Sequence, residues 1–125
     1  LELFRDKLLY LAKGASICVF AGTLPRGVEP DIYAGLIRDV RKLGVTTMLD
    51  TEGEPLRLAV RAEPNVVSPN EIEAEELVGH EFNGSDDRAQ AVLEIARLGA
   101  AEAIMTVSDG CYARFWRAAP RCSTG

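Results

Sequence analysis

The chain has 125 residues and a formal net charge of −5, with 47% hydrophobic and 26% charged residues, which fits one globular domain with a sizeable core. No cluster of Lys or Arg forms a basic stripe, so nucleic acid is not an expected partner, because phosphate contacts need clustered cations. No apolar run is long enough to span a bilayer, so no membrane partner is expected either.

In chain order, segments with helical spacing of apolar residues alternate with short apolar runs of strand length. The pattern predicts helices over residues 1–13, 30–43, 55–62, 70–78 and 86–98, and strands over residues 15–21, 45–49, 65–67, 103–107 and 112–116. The last strand is expected to pair antiparallel with the fourth across Asp109–Gly110, where Phe115 and Trp116 would pack on the hairpin. The alternation indicates a single α/β domain over residues 1–125, a three-layer αβα arrangement with a mostly parallel, Rossmann-like sheet.

The first strand and its cysteine carry two further expectations. The run from residue 15 to residue 21 is continuously apolar, as in a strand that is covered on both faces. Cys18 lies inside this run and is expected to be a reduced core thiol. The chain has three cysteines, an odd number without C-x-x-C spacing, so a cytoplasmic location is expected.

Small, polar or acidic residues follow the ends of four predicted strands. The loops cover residues 21–25, 49–53, 67–73 and 106–110. In an open α/β sheet, ligands bind outside the carboxyl ends of the strands. Four such loops at one edge therefore predict a site there. The only histidine, His80, follows a predicted helix end and is interpreted as a surface residue, and no metal-ligand spacing of the Cys/His kind occurs.

Each loop has a structural and a functional interpretation. Asn70 and Glu73 have the spacing of a capping box, and the same helix start could face phosphate through Mg²⁺; the two roles are compatible. Gly22 and Thr23 form either a plain turn or an anion-binding turn with free amides. Asp50 is either a solvated acid of a turn or an acid that helps to hold a metal. The residues 106–110 form either a hairpin turn or part of a phosphate path.

These loops also resemble the motifs of one family. The segment 21–28, A-G-T-L-P-R-G-V, resembles the S-G-S-L-P-P-G-V loop of ribokinase-like (PfkB-type) carbohydrate kinases. Within that family, the segment 49–56 is similar to the L-D-T-S-G-E-A-L of the phosphosugar branch, which includes 1-phosphofructokinase and tagatose-6-phosphate kinase. The segment 68–73 resembles K-P-N-x-x-E, and the segment 98–110 resembles L-G-A-x-x-V-x-V-T-x-G-x-x-G. The four matches occur in the family's order and extend over nearly the whole chain.

The resemblance implies transfer of phosphate from ATP, with Mg²⁺, to a hydroxyl of a sugar phosphate. It places Gly22 and Thr23 near the sugar phosphate, and Asn70 and Glu73 near Mg²⁺ and the ATP phosphates. It adds Asp50 to the metal environment. On the nucleotide side it places Thr106, Ser108 and Gly110. It also implies a homodimer for a full-length protein of this kind.

The chain departs from the family's pattern in ways that bear on activity. The family's base is an Asp in a G-A-G-D motif, and no Asp follows the final Ser123-Thr124-Gly125, so no catalytic residue is assigned. The N-terminal sugar-binding and lid part has no counterpart here either. Ser68 stands where the branch has Lys. The chain is therefore expected to be a partial, central piece of a kinase, inactive alone; the alternative is a non-catalytic nucleotide-binding or degenerate α/β module.

Overall fold

The computed structural model of the chain describes residues 2–114. Its helices are α1 Glu2–Ala12, α2 Ile32–Arg41, α3 Gly53–Ala59, α4 Glu71–Val78 and α5 Ser85–Leu98, with a 3₁₀ turn at Val60–Ala62. Its strands are β1 Ile17–Ala21, β2 Thr46–Asp50, β3 Val66–Val67, β4 Glu102–Val107 and β5 Gly110–Arg114. The predicted order of helices and strands is confirmed. The predicted hairpin contacts of Phe115 and Trp116 lie outside the described residues.

The five strands form one sheet in the order β1-β2-β3-β4-β5. The first four strands are parallel, and β5 runs antiparallel to β4. Ala21 is paired with Asp50, and Leu49 is paired with Val67, so β1, β2 and β3 end close to one another. The α/β class with a mostly parallel sheet is therefore confirmed, and the register brings the predicted loops to one edge.

The helices pack on the sheet through their apolar faces. The core contains the inward residues of α2 and α5 together with those of the central strands, among them Ile37, Val40, Leu49, Val67, Ile95, Ala103 and Met105, all fully buried. The wide apolar stripe of α2 explains why this segment is helical and why it lies on the sheet. Removal of this surface from water is the main force that holds the strand ends in place.

The expectation that β1 is covered on both faces is wrong for the part of the chain that the structure describes. Ile17 and Val19 are 49% and 53% exposed, whereas Phe20, on the opposite face, is buried. Cys18 is a free thiol that is only partly buried beside the core, and this burial raises its pKa. The physical reason is that β1 is an edge strand whose second face no described helix covers. An apolar run alone does not distinguish such a strand from a central one.

The start of β2 is fixed by a buried polar pair. Thr47 is fully buried, and its backbone N–H donates to Asn65 Oδ1 at 2.8 Å. The Thr47 hydroxyl lies 3.2 Å from the same oxygen and accepts from the Asn65 backbone N–H at 3.1 Å. These bonds join β2 to the turn before β3 at the edge opposite the predicted loops.

Between residues 2 and 114, no helix is long and apolar enough to cross a bilayer.

Candidate functional site

The carboxyl ends of β1, β2 and β3 are joined by backbone hydrogen bonds that continue the sheet into the loops. The Gly22 N–H donates to the Asp50 carbonyl at 3.1 Å, and the Ser68 N–H donates to the Leu49 carbonyl at 3.0 Å. Gly22, Thr23, Asp50 and Asn70 are exposed at this edge. Three of the four predicted loops are thus immediate neighbours, and they present polar groups to solvent at the place where α/β sheets bind ligands.

The Gly22 turn is held by two hydroxyls that the sequence interpretation did not single out. Thr51, 4% exposed, donates its hydroxyl to the Gly22 carbonyl at 2.8 Å. The Tyr33 hydroxyl donates to the Ala21 carbonyl at 2.9 Å and lies 3.3 Å from that of Gly22. Partial burial raises the pKa of Tyr33, so its hydroxyl stays protonated as a donor at neutral pH. Gly22 has a φ of 97°, which only glycine adopts without strain.

Thr23 is paired with an acid from the neighbouring loop. Its hydroxyl donates to Glu52 Oε1 at 2.9 Å, and both side chains are exposed. The bond connects the β1–α2 loop to the β2–α3 loop at the exposed carboxyl edge of the sheet. Thr23 therefore lies next to the loop of Asp50, and it has a carboxylate as its partner.

Asn70 and Glu73 form a complete capping box at the start of α4. The Glu73 backbone N–H donates to Asn70 Oδ1 at 2.8 Å, and the Asn70 backbone N–H donates to Glu73 Oε1 at 2.9 Å. The structural interpretation of this pair is confirmed. Glu73 Oε2 takes no part in the cap, so one oxygen of the carboxylate remains for another ligand. The N-terminus of α4 also carries the positive end of its helix dipole.

An ion pair joins the same first turn of α4 to α5. Arg88 of α5 donates from Nε to Glu71 Oε2 at 2.7 Å. This hydrogen bond, with a second one to Tyr112, raises the pKa of the Arg88 guanidinium. The pair fixes α4 against α5, so the position of the capping box relative to the sheet is set by packing as well as by the cap.

The fourth predicted loop divides into two parts. Thr106 forms a parallel bridge with Asn70, and its N–H donates to the Pro69 carbonyl at 3.0 Å. Ser108 and Asp109 form the turn that joins β4 to β5, and Gly110, which is paired with Val107, begins β5. Within residues 2–114, no hydrogen bond joins Ser108 or Gly110 to Gly22 or Thr23. The structure brings Thr106 to Asn70 and confirms the hairpin interpretation of the turn.

Within residues 2–114, the carboxylates at this edge do not form a metal cage made by protein side chains alone. No group of three His, Cys, Asp or Glu side chains in the described part of the chain could hold a metal ion. Mg²⁺ usually takes one or two carboxylates, with substrate phosphates and waters completing its shell. Asp50 is exposed, and Glu73 lines a small cleft with Gly53 and Arg57 between α3 and α4. Two accessible carboxylates are what such a shell needs from the protein.

Comparisons with known proteins agree with this geometry. A family profile described as pfkB family carbohydrate kinase matches residues 2–114. The 1-phosphofructokinase of Haemophilus influenzae is 31% identical over 115 residues, which are 92% of this chain and 36% of that protein. The tagatose-6-phosphate kinase of Staphylococcus epidermidis is 31% identical over 94 residues, 74% of this chain and 30% of that protein.

A solved structure shows the same fold. Phosphofructokinase-2 from Escherichia coli, in complex with potassium, superposes with a TM-score of 0.85 and 28% identity, covering 96% of this chain and 40% of that one. The five-stranded, mostly parallel sheet of this chain is therefore of the α/β type found in this carbohydrate kinase. The chain belongs to the pfkB family of carbohydrate kinases. It spans between 30% and 40% of the length of these three relatives.

Sequence reasoning missed three residues of this edge. The helical spacing of residues 30–43 places Tyr33 in a helix and gives no information on its hydroxyl. Thr51 and Glu52 lie beside Asp50 and were considered only as parts of a motif. The hydrogen bonds of Thr51 and Glu52 join residues 29 positions apart in the chain. No local sequence pattern predicts such contacts. The replacement of Ser by Glu at position 52, relative to the branch's motif, was the one available signal.

Proposed function

We propose that the chain is the central part of a cytoplasmic kinase that transfers phosphate from ATP, with Mg²⁺, to a hydroxyl of a sugar phosphate. The observation that carries this proposal is the alignment of Gly22–Thr23, Asp50 and Asn70–Glu73 at the carboxyl edge of one parallel sheet, in a chain of the pfkB family. The kinases named above support an acceptor of the phosphosugar class.

The proposed roles follow from the chemistry of the groups. In phosphoryl transfer, the protein contributes mainly positioning and charge stabilisation. Thr23 would offer its hydroxyl to the acceptor's phosphate at the turn that Gly22 makes possible, and the Gly22 amide itself is bonded to the Asp50 carbonyl. Asn70 and Glu73 orient the ATP phosphates, and the carboxylates of Glu73 and Asp50 would hold Mg²⁺, which supplies the positive charge that neutralises phosphate oxygens when it is bound.

The nucleotide side is proposed to lie toward β4 and β5. The backbone of Thr106 is bridged to Asn70, so Thr106 lies beside the start of α4, which is proposed to face the phosphates. Ser108 lies in the adjoining turn and Gly110 follows at the start of β5, and both would line the path of the nucleotide. No residue of the chain is proposed as the base that takes the acceptor's proton. We propose that the base, the sugar-binding segment and the lid belong to other parts of the complete protein, which we expect to be a homodimer.

A transfer assay on the complete protein that contains this sequence tests the proposal. Fructose 1-phosphate, tagatose 6-phosphate and fructose 6-phosphate would be offered with ATP, and the release of ADP and the phosphorylated sugar would be measured as Mg²⁺ is varied. We expect Mg²⁺-dependent transfer to at least one of them. Binding of ATP without transfer to any acceptor would contradict the proposal and favour a non-catalytic nucleotide-binding module, an alternative that Ser68 in place of Lys supports.

A further inference from the structure

The hydroxyl of Thr23 is engaged by the chain itself. It donates to Glu52 Oε1 at 2.9 Å. A Thr hydroxyl has a single proton to donate, and an ionised carboxylate can only accept. While this bond persists, Thr23 cannot donate to an oxygen of a bound phosphate. A phosphate at this position must therefore compete with Glu52.

The backbone under this pair has little freedom to adapt. The Gly22 carbonyl accepts from Thr51, with the Tyr33 hydroxyl also close, and the Gly22 N–H is bonded to the Asp50 carbonyl. Both loops are thus fixed to each other and to α2. Glu52, by contrast, is an exposed side chain whose rotamer can change. The side chains of Thr23 and Glu52, and not the loops, must rearrange when a ligand arrives.

The charge of Glu52 adds to the competition for the hydroxyl. A carboxylate beside a phosphate repels it, and the repulsion between neighbouring charges persists even in water. In the phosphosugar motif that this segment resembles, the corresponding position is Ser, which is neutral and can donate a hydrogen bond. Ser68 in place of Lys removes a positive charge from a nearby loop. Relative to the motif, both replacements therefore make the charge at this edge more negative.

We propose that Glu52 is a specificity-determining residue that weakens the binding of phosphorylated acceptors by competing for Thr23 and repelling their phosphate. This inference rests on the function proposed above. It assigns the residue a role in acceptor affinity and none in the transfer step. An acceptor that places a neutral hydroxyl at Thr23 does not meet the repulsion and is the class that Glu52 favours.

Two substitutions in the complete protein test this role. Glu52→Gln removes the charge and keeps an acceptor for Thr23, and Glu52→Ser installs the residue of the motif. For both we expect the KM for fructose 1-phosphate to fall by about fivefold, the effect of one charge at about 4 Å in water. The KM for ATP should stay constant, and the gain should shrink at high salt, where the repulsion in the parent protein is screened.

The matched control is Glu54→Gln. Glu54 carries the same charge two residues further on, is exposed and lies 3.6 Å from Arg57. Its substitution should leave the KM for fructose 1-phosphate unchanged. An equal fall of KM in the Glu54 variant would show a general charge effect and overturn the specific role of Glu52. An unchanged or increased KM in both Glu52 variants would also overturn it.

A direct titration separates this inference from the proposed function. If the unsubstituted protein transfers no phosphate, the proposed function fails, and binding of fructose 1-phosphate is then followed by calorimetry or by NMR of the Gly22 and Thr23 amides. Tighter binding to the Glu52→Gln protein than to the unsubstituted one would support the competition. Equal or weaker binding would overturn it independently of any catalytic result.

Discussion

The two ends of β2 carry similar polar residues in opposite environments. At the amino end, Thr47 is fully buried, and its amide and hydroxyl are both bonded to Asn65. At the carboxyl end, Asp50 and Glu52 are exposed, and Glu52 accepts the hydroxyl of Thr23 at the surface. One strand thus begins in a closed polar network and ends in an open one.

The difference separates residues that stabilise the fold from residues that are available to a ligand. A buried polar atom must have its partner within the protein, because leaving it unpaired costs about 1–3 kcal/mol. An exposed side chain can exchange its partner for water or a ligand at little cost. The amino end should therefore be sensitive in unfolding experiments, and the carboxyl end should be sensitive in binding and kinetics.

The largest stability effect is expected at the amino end. Asn65→Ala removes the acceptor of the buried Thr47 N–H and should lower the free energy of unfolding by about 1–3 kcal/mol, measured by urea denaturation. The matched change at the carboxyl end, Asp50→Asn, should stay within about 0.5 kcal/mol. Equal losses in the two variants would contradict the distinction between the two ends.

Thr51 combines features of the two ends of β2, because it is buried but holds the exposed turn. Thr51→Val should lower the free energy of unfolding by about 1 kcal/mol through the lost bond to the Gly22 carbonyl. The looser turn should also raise the KM for the sugar phosphate while the KM for ATP is unchanged. Thr51→Ser keeps the donor and serves as the control. A Val variant with normal KM for both substrates would show that Thr51 does not position the Gly22 turn for the sugar phosphate.

The smallest effect is expected away from the sheet edges, at the ion pair between α1 and α2. Arg5 donates from Nε to Asp39 at 2.6 Å. This hydrogen bond lowers the pKa of Asp39, and the opposing effect of partial burial is smaller. Because the pKa is lower in the folded chain, the stabilisation is present above the unfolded value of about 4 and is lost as the pH falls through the lowered pKa.

The partly exposed pair should contribute less than about 1 kcal/mol. In unfolding experiments between pH 7 and more acidic conditions, Asp39→Asn should flatten this part of the pH dependence. Arg5→Gln, which removes the donor of this hydrogen bond, should flatten it in the same way. A steeper acid loss in the Asp39 variant than in the unsubstituted protein would contradict the assigned sign.

The fold could be predicted from the sequence because its signals are local. The apolar stripe of α2 and the capping box of α4 each depend on a few neighbouring residues, and each is found where it was expected. The hairpin between β4 and β5 is also found, but its turn is formed by Ser108 and Asp109, one residue earlier than the predicted Asp109–Gly110. The exposure of Ile17 and Val19 could not be predicted, because it depends on which strands lie beside β1 and on what covers them. An apolar run indicates a strand and gives no information on its neighbours.

The site could be predicted only in outline. Strand-end loops and their motifs indicated which segments meet, and the structure confirms the neighbourhood of Gly22 with Asp50 and of Asn70 with Thr106. The hydrogen bonds of Thr51 and Glu52 are non-local and depend on the exact register of β1 and β2. The proposed roles toward ATP, Mg²⁺ and the sugar phosphate rest on the family and on the chemistry of the groups, and remain predictions.

The measurement that tests the central claim most directly is the kinetics of a Glu73→Gln variant of the complete protein as Mg²⁺ is varied. Gln at this position keeps the capping box, so the fold and the stability should be unchanged, while the charge at the carboxyl edge is lost. We predict a fall in kcat of about 10- to 100-fold and a higher Mg²⁺ requirement, the size expected when a group that supports a metal is removed. A variant with normal kcat and normal Mg²⁺ dependence would show that Glu73 only caps α4, and would contradict the assignment of this edge as the site of phosphoryl transfer.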